Sequence, residues 1–457
     1  MTRSVSGQVV LVLAAILAGG AGPAWAQGQP PVARPYQGLF GGDNEPVLRP
    51  QSLTVQGSVF AGYDDNVYAG QPGAGTGPGT IPGSGFLSGI SLGLGYTRSF
   101  SRSSLSADLG GALRYYPESA DQSAPSAFAG AGYTTMLDPR TELTIVGTYR
   151  YLPYYRYSLL PGLGDSYYQA ETAALGSGNV LVAPLDDDLI SADQQVSYYT
   201  VDAEVRRRLS PRSEVSARYG YGLHDFSVID TDDHYQRFGG LYRYELNSDF
   251  DLRAGYLYTR RIAEEVETPY ELHTIDTGFD YKKAFRFGAK QRTTLSFGVG
   301  PSIIGRASPE GDGARPGDTD FLVTAIGNVS LYHRLSREWF ASTTYNRSLR
   351  FIEGFADPAL QDVVTASLGG YLGKRVNVVL KGSYSWGAVN LESNNYDTGL
   401  ASARVQYALT TGLALYAQYF YYRYHFDEAV VLPPGYVPQQ ERQGVRVGLN
   451  FWLPVLR

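Results

Sequence analysis

Charged side chains at alternating positions are the residues of this sequence with the clearest capacity for chemistry. Within 214–224, Glu214 and Arg218 share one parity, while Val215 and Leu223 share the other. Successive side chains of a β-strand point to opposite faces, so this segment has one charged face and one apolar face. A charged face of this kind can steer ionic solutes, and it can also be stiffened by ion pairs.

The same parity carries charge in many other segments. We expect these side chains to line a shared polar interior: Arg114, Arg150, Arg206, Arg218, Arg237, Arg253, Arg404, Arg446, Asp108, Glu204 and Asp276. Basic residues lead in this set, although the whole chain has a formal net charge of −6. Two interpretations stay open. Salt bridges between these charges brace the wall of a lumen, or the lumen weakly favours anions.

The residue types and their spacing give little support for an enzyme active site or a metal site. The absence of cysteine excludes disulfides, thiolate metal ligands and thiol nucleophiles. No serine forms a recognisable arrangement with a histidine and an acid, so we expect no catalytic residues and no enzyme activity. The acidic turns Asp64-Asp65-Asn66 and 230–233 could bind calcium, but nothing defines a ligand set, and we predict no metal and no cofactor. The histidines fall near predicted strand ends, at His224, His234, His273, His333 and His425.

The elements that position these side chains are short segments in which apolar and polar residues alternate. We count about 18 of them, with 16 as the alternative, and most are near the ~9–11 residues that cross an apolar band when a strand is tilted. Short connections, such as Ser210–Ser213, alternate along the chain with longer ones, such as 226–233 and 154–195. Short turns at one end and long loops at the other are typical of outer-membrane barrels.

This pattern predicts an all-β protein, a transmembrane antiparallel up-and-down β-barrel. The mean hydropathy is −0.21, and no segment approaches the ~18 apolar residues of a membrane helix. Backbone groups inside a bilayer must all be paired, which a closed sheet achieves. Tyrosine is abundant, with 37 residues, and we expect aromatic girdles at the membrane interfaces. The inward Tyr416 and Tyr422 leave an alternative open, an aromatic track for sugars. The last strand is expected at Gln443–Leu453, with Pro454–Arg457 running past it.

Three regions follow from the sequence. Residues 1–26 have the features of a signal peptide, with an apolar run too short to span a bilayer and Ala24-Trp25-Ala26 as the cleavage site, cut after Ala26. Residues 27–51 are rich in Pro, Gly and Gln and form the predicted periplasmic leader. Residues 52–457 form the predicted barrel. Export without a spanning helix indicates the outer membrane of a diderm bacterium.

Three short motifs are typical of a known family. They are Arg34-Pro35-Tyr36-Gln37-Gly38-Leu39-Phe40-Gly41-Gly42, Gly62-Tyr63-Asp64-Asp65-Asn66-Val67-Tyr68 and the turn Leu209-Ser210-Pro211-Arg212. With these motifs the chain resembles the outer-membrane β-barrel porin family of porin-like β-barrel proteins. The resemblance implies a barrel in the outer membrane, and it implies no particular substrate and no catalytic residues.

The predicted function is that of a porin-like channel for passive diffusion of small solutes, with a weak preference for anions. The loop 154–195 is the expected inward-folded constriction. Two alternatives stay open: an export barrel for an acidic exopolysaccharide, and a plugged structural or adhesive barrel. The expected partners are outer-membrane lipid, the barrel-assembly machinery, and small solutes or polysaccharide. The net charge gives no reason to expect nucleic acid.

Overall fold

The structure is a computed structural model, and it describes most of the predicted barrel. The described residues are 50–65, 84–117, 122–152, 195–226, 233–263, 270–285, 292–307, 319–336, 338–351, 355, 358–389, 395–428, 430, 432 and 438–456. The predicted signal peptide, all but the last two residues of the predicted leader, and all but the last residue of the predicted constriction 154–195 lie outside the described residues.

The alternating segments form 18 strands that make one closed antiparallel sheet. The strands are β1 (Gln51–Asp64), β2 (Gly85–Ser99), β3 (Ser103–Tyr116), β4 (Gln122–Asp138), β5 (Thr141–Leu152), β6 (Val196–Ser210), β7 (Ser213–Phe226), β8 (Asp233–Asn247), β9 (Phe250–Ala263), β10 (Tyr270–Phe285), β11 (Arg292–Ala307), β12 (Thr319–Arg334), β13 (Trp339–Phe351), β14 (Pro358–Leu372), β15 (Val376–Val389), β16 (Tyr396–Ala408), β17 (Leu413–Phe426) and β18 (Gln439–Leu456). Each strand pairs with its neighbours in the sequence, and β1 pairs with β18 to close the barrel. The predicted fold class, the count of about 18 strands and the barrel that the family resemblance implied are confirmed. Within the described residues, no helix has the length and hydropathy needed to span a membrane.

The connections alternate in length, as predicted, with one exception: the β10–β11 connection (286–291) is as long as the β9–β10 connection (264–269) at the opposite end. The short ones lie at one end of the barrel, here called the short-turn end, and the opposite end is called the loop end. Side-chain oxygens help to form the short turns, because Asp138 Oδ1 accepts from the Arg140 N–H at 2.7 Å and Asn247 Oδ1 accepts from the Asp249 N–H at 2.8 Å. Gly373, in the turn between β14 and β15, has a φ of 67°, a left-handed conformation that glycine adopts without a Cβ clash.

The outer face of the barrel is apolar and open to its surroundings. Val59, Leu92 and Val447 are exposed by 49%, 50% and 49%. The residues that alternate with these along each strand point to the interior of the barrel, and we call the surface that they form the lumen face. A continuous exposed apolar belt on a closed barrel is suited to contact with lipid hydrocarbon.

Tyrosines near the loop end of the outer face bind acceptors on the neighbouring strand. The Tyr258 hydroxyl donates to Glu271 Oε1 at 2.8 Å, and the Tyr256 hydroxyl hydrogen-bonds His273 Nδ1 at 2.7 Å. The same arrangement recurs in Tyr221–His234, Tyr345–Asp362, Tyr419–Gln443 and Tyr421–Glu441. An outward-facing ring whose hydroxyl has a hydrogen-bond partner suits the boundary between lipid and water, which is where the girdle was predicted.

The last strand is longer than predicted. It spans Gln439–Leu456, so the expectation that Pro454–Arg457 runs past the strand is wrong for all but Arg457, which lies outside the described residues. Pro454 is opposite Thr54 at a register shift. Proline has no N–H for the ladder, and an irregularity at this point lets pairing continue around it.

Candidate functional site: the lumen and its mouth

The eleven charged residues predicted to line the interior all lie on the lumen face, but they differ in how far they reach into it. Some are half-exposed, and others are held against the wall. Arg114 and Asp108 are each 3% exposed on the inner face of β3. Arg150 and Glu204 are partly exposed on β5 and β6, and the Arg237 guanidinium carbon lies 4.5 Å above the ring centre of Tyr235. Exposure, more than parity, therefore separates the possible roles of these residues.

The most exposed charges lie on β6–β8 toward the short-turn end. The side chains of Arg206 and Arg218 are exposed by 47% and 53%. Three carboxylates surround the Arg206 guanidinium at 3.3–3.7 Å, those of Glu142, Glu204 and Glu214. Asp202 is 3.7 Å from Arg218. Ion pairs this long and this exposed contribute little to stability, so both guanidinium groups stay available to solutes.

Two more arginines extend this exposed group. Arg208 and Arg243 lie on the lumen face, both opposite Glu214, and both are exposed. We call Arg206, Arg208, Arg218 and Arg243 the arginine quartet. The carboxylates around it are only partly exposed, because the shorter acidic side chains stay nearer the wall.

Arg253, by contrast, is built into the wall. Its Nε donates to Asp276 at 3.1 Å, Nη1 donates to Asp280 at 2.9 Å, and Nη2 donates to Asn328 at 3.0 Å. The side chain crosses β10 and β11 to reach β12, and a Cβ added to Gly298 would lie 2.3 Å from its Nη2. It is 12% exposed. Arg253 therefore braces four adjacent strands, whereas its partner Asp276 remains 43% exposed.

Arg446 and Arg404 pack on aromatic rings of the lumen face. The Arg446 guanidinium carbon lies 5.4 Å from the ring centre of Phe60 and 4.7 Å from that of Phe420. Arg404 lies 4.3 Å from the ring centre of Tyr416. Cation–π contacts of this kind are stabilising where water is excluded, and Arg446 is 1% exposed. These arginines are part of the packed wall.

The aromatic residues considered for a sugar track are also buried. Tyr416 is 2% exposed and Tyr422 is 1% exposed. The neighbouring Phe420 ring lies across Gly444 of β18, where an added Cβ would be 2.6 Å from the ring. The rings therefore fill the wall in this conformation and do not project into a water-filled passage.

A buried ion pair that the sequence did not indicate joins the two ends of the barrel sheet. Arg442 Nε on β18 donates to both carboxylate oxygens of Asp64 on β1 at 2.9 Å. The side chains are 1% and 0% exposed. Asp65 Oδ1 accepts from the Gln443 N–H at 2.7 Å. Asp64 and Asp65, which were considered for calcium, are thus engaged by β18, while residues 66 and 230–232 lie outside the described residues.

The histidines lie near strand ends, as predicted, in different environments. His224 faces the lumen and is 5% exposed, with its ring centre 4.9 Å from that of Tyr198 and 5.3 Å from that of Tyr235. Its Nδ1 is 3.9 Å from Asp233. His425 is half-exposed, 3.8 Å from an Asp397 oxygen. In the part of the chain that the structure describes, no group of three or more His, Asp or Glu could hold a metal ion.

An apolar cluster lies at the loop end, and we call it the mouth cluster. It consists of Leu152, Val196, Tyr198, Phe226, Phe355, Ala359, Val389, Tyr396, Phe420, Tyr422, Tyr424, Phe426 and Val430. These residues come from β5–β7 and from β14–β17, which are opposite arcs of the 18-strand ring. Phe355 and Val430 come from connections at the loop end. The cluster therefore extends across the mouth of the lumen.

The mouth cluster was not predicted from the sequence, because only charged residues were considered as lining of the lumen. The predicted constriction is 154–195, whereas the described residues of the mouth include Phe355 and Val430 from two other connections. One signal was present in the sequence. The lumen face of β17 ends in Phe420, Tyr422, Tyr424 and Phe426, a density of aromatic residues that a water-filled passage does not need.

Comparisons with known proteins give a distant structural likeness. No family model and no curated protein matches the chain. Among solved structures, the chain is similar to OccAB3 of Acinetobacter baumannii, with 10% identity, 88% of this chain and 99% of that chain covered, and a TM-score of 0.44. It is also similar to OccK11 (OpdR) of Pseudomonas aeruginosa, with 12% identity, coverage of 89% and 96%, and a TM-score of 0.42. It is similar as well to OccK2 (OpdF) of the same organism, in complex with glucuronate, with 11% identity, 89% of this chain and 98% of that chain covered, and a TM-score of 0.46. A likeness at this level transfers no solute or mechanism, so the barrel assignment rests on the strand pairing of the chain itself.

Proposed function

We propose that the protein is a porin-like channel of the outer membrane that lets small solutes diffuse through a charged, water-filled lumen. The observation that carries this proposal is the half-exposed state of Arg206 and Arg218 on the inner face of a closed barrel. Charged side chains stay solvated only where water reaches them. Barrels of about 16–18 strands are wide enough for an aqueous passage, and the apolar outer belt suits a lipid bilayer.

The weak preference for anions is part of the proposal, and the arginine quartet supports it. Its four guanidinium groups are exposed to the lumen, while the nearby carboxylates of Glu142, Glu204 and Glu214 are partly covered. A mobile ion in the passage therefore meets positive charge first. Because the carboxylates lie within 4 Å of Arg206, they offset much of its field, and the preference is expected to be weak.

Conductance of the purified protein in planar bilayers tests the proposal. We expect discrete current steps and a reversal potential in a KCl gradient that indicates a modest excess of chloride permeability. A folded, inserted barrel that carries no current under any condition would contradict a channel.

A second candidate, a plugged structural or adhesive barrel, is favoured by one specific observation. The mouth cluster spans the lumen from β5–β7 to β14–β17. A barrel that serves only as a scaffold for its loops would stay silent even after the mouth cluster is weakened by Phe426→Ala. Current that appears or grows in this variant would favour the channel instead.

A further inference from the structure

The ladder between β12 and β13 is the shortest among the described strands of the barrel. It joins Gly327–Arg334 to Phe340–Arg347 in eight residue pairs, whereas each other ladder has eleven or more. Beyond it, Thr319–Ile326 continues to pair with β11, and Ser348–Phe351 continues to pair with β14. Both segments remain strands, so β12 and β13 separate from each other toward the loop end.

We call the gap between β12 and β13 the seam. At the seam, the loop end of the β13–β14 hairpin packs on the lumen side of β10–β12. Leu272 and Ile304 pair with each other on the lumen face. Leu349 has the opposite parity, because it is three residues beyond Asn346, which pairs with the lumen-facing Asn328. Nevertheless one apolar cluster contains residues of both parities: Tyr270, Leu272, Ile304 and Leu349, with Ile326 and Leu360 packed against them. The outer face of the hairpin therefore lies against the inner face of β10–β12.

Burial agrees with this overlap. On the outer face, Val299 and Val323 are exposed by 46% and 62%, whereas Leu349 is exposed by only 6%. At the point where the ladder stops, Arg347 Nε donates to the Ala325 carbonyl oxygen at 3.2 Å. A side chain thus occupies the place of the next backbone hydrogen bond. The Ala325 carbonyl oxygen therefore has a hydrogen-bond donor although the backbone ladder stops there, so the separation of the two strands does not leave this acceptor unpaired.

Phe355, in the connection beyond β13, contacts two sides of the mouth. The Phe355 ring stacks on Phe426 of β17, with ring centres 5.8 Å apart. On the other side, Arg261 of β9 donates from Nη1 to the Phe355 carbonyl oxygen at 2.8 Å and from Nε to Asp233 at 2.8 Å. Phe355 therefore links two distant arcs of the barrel through contacts with their lumen faces.

We propose that the described residues at the loop end of β13 and β14, Ser348–Phe351, Phe355 and Pro358–Leu360, act as a gate that moves together with the end of β15, to which β14 is paired. Folded inward, as here, it holds Phe355 in the mouth cluster. Swung outward, it would extend the β12–β13 ladder, with Ala325 opposite Leu349 in the existing register, and would withdraw Phe355 from the mouth. The outward state gains backbone pairs. It loses the apolar overlap, the Arg347–Ala325 contact and the contacts of Phe355 with Arg261 and Phe426. Each state therefore has contacts that the other lacks, as a two-state element requires. The movement does not depend on the proposed function, but its consequence for solute flow rests on that function.

Two disulfide locks test the gate, and the absence of native cysteine makes each introduced pair unique. Ala325→Cys with Leu349→Cys can cross-link only when the ladder extends, so oxidation should hold the mouth open and raise the conductance. Phe355→Cys with Phe426→Cys should hold the inward state and lower the time-averaged current roughly tenfold, as expected when the open conformer becomes a minor state. Reduction should reverse both effects. Leu331→Cys with Thr343→Cys, already opposite each other in the ladder, is the control and should change neither.

Cross-linking yield and current report on different parts of the inference. Efficient cross-linking of the 325/349 pair together with opposite current changes in the two locks supports the gate. Efficient cross-linking of that pair in a barrel that never conducts supports the hinge movement and overturns the channel. A conducting barrel in which the 325/349 pair fails to cross-link, while the control pair forms, overturns the gate and leaves the channel in place.

Discussion

At the scale of the residue, an arginine on the lumen face acts through its environment. Arg206 is 47% exposed among carboxylates at more than 3.2 Å, whereas Arg446 lies between two aromatic rings at 1% exposure. Arg253 is held by three partners on neighbouring strands. Only the first of these can shape the field in the passage without a change in the wall. The other two contribute to the cohesion of the barrel.

The charge selectivity should depend on Arg206. We expect Arg206→Gln to lower the chloride-to-potassium permeability ratio by roughly two- to fourfold, because a unit charge about 5 Å from an ion in water contributes about 0.8 kcal/mol. Reversal potentials in a KCl gradient measure this ratio. Arg207→Gln is the matched control, since Arg207 is the next residue of β6, is exposed, and points to the outer face. Equal effects of the two substitutions would contradict a role for the lumen charge.

The Asp64–Arg442 pair should stabilise the closure of the barrel. Asp64→Ala leaves a buried guanidinium without its carboxylate, which costs about 3–5 kcal/mol in buried pairs of this kind. Denaturant unfolding in detergent micelles, followed by tryptophan fluorescence, measures the loss. Asp65→Ala removes only an exposed contact to the Gln443 N–H and should cost less than about 1 kcal/mol. The double variant Asp64→Leu with Arg442→Met should recover much of the loss, and a double variant as unstable as Asp64→Ala would argue against the ion pair as the cause.

At the scale of the element, aromatic side chains from one strand cover glycines of the next. Phe60 of β1 lies over Gly89 of β2, and Phe420 of β17 lies over Gly444 of β18. The absence of a Cβ lets a ring lie flat on the sheet, which brings it close to the backbone of both strands. Neighbouring strands are thereby fastened by side-chain packing in addition to their ladders.

Alanine at Gly444 should disturb this packing. An added Cβ would lie 2.6 Å from the Phe420 ring and 2.8 Å from the Tyr63 carbonyl oxygen, so we expect Gly444→Ala to lower the unfolding free energy by about 1–3 kcal/mol. Gly382→Ala is the control, because its Cβ would meet the Leu400 carbonyl oxygen at 4.0 Å, and a change within about 0.5 kcal/mol is expected. Thermal unfolding followed by the gel mobility of folded and unfolded barrels compares the two. Similar losses would show that the ring contact is not the cause.

The strands themselves were predictable, and their ends were less so. Alternation identified about 18 segments because the lipid belt requires apolar residues at every second position. Beyond the belt this requirement ends, while backbone pairing continues into water. For that reason β18 extends past the predicted Leu453 to Leu456.

At the scale of the whole molecule, the selectivity is expected to be an electrostatic property of the lumen. The Debye length falls from about 10 Å at 0.1 M salt to about 3 Å at 1 M. We therefore expect the chloride-to-potassium permeability ratio to approach unity in 1 M KCl gradients and to rise in dilute ones. Reversal potentials across a series of salt concentrations test this expectation. A ratio independent of salt would indicate a binding site at a constriction instead of a field from the arginine quartet.

Parity is a local property of the chain, and the sequence alone determined it. The two-residue repeat of a strand assigns each side chain to the lumen or to lipid without knowledge of its neighbours. This was enough for the fold class, the strand number and the faces of the charged residues. It could not show which charges meet, because Arg442 and Asp64 are 378 positions apart and become neighbours only when the barrel closes.

The tertiary structure decided exposure, partnership and the state of the mouth. Register across four strands determines that Arg253 reaches Asn328, 75 positions away. Leu349 has the parity of a lipid-facing residue, yet it is buried against Leu272 and Ile304 because the wall overlaps itself at the seam. Parity describes a strand relative to its own sheet, whereas the path of a hairpin relative to the barrel depends on contacts between distant strands.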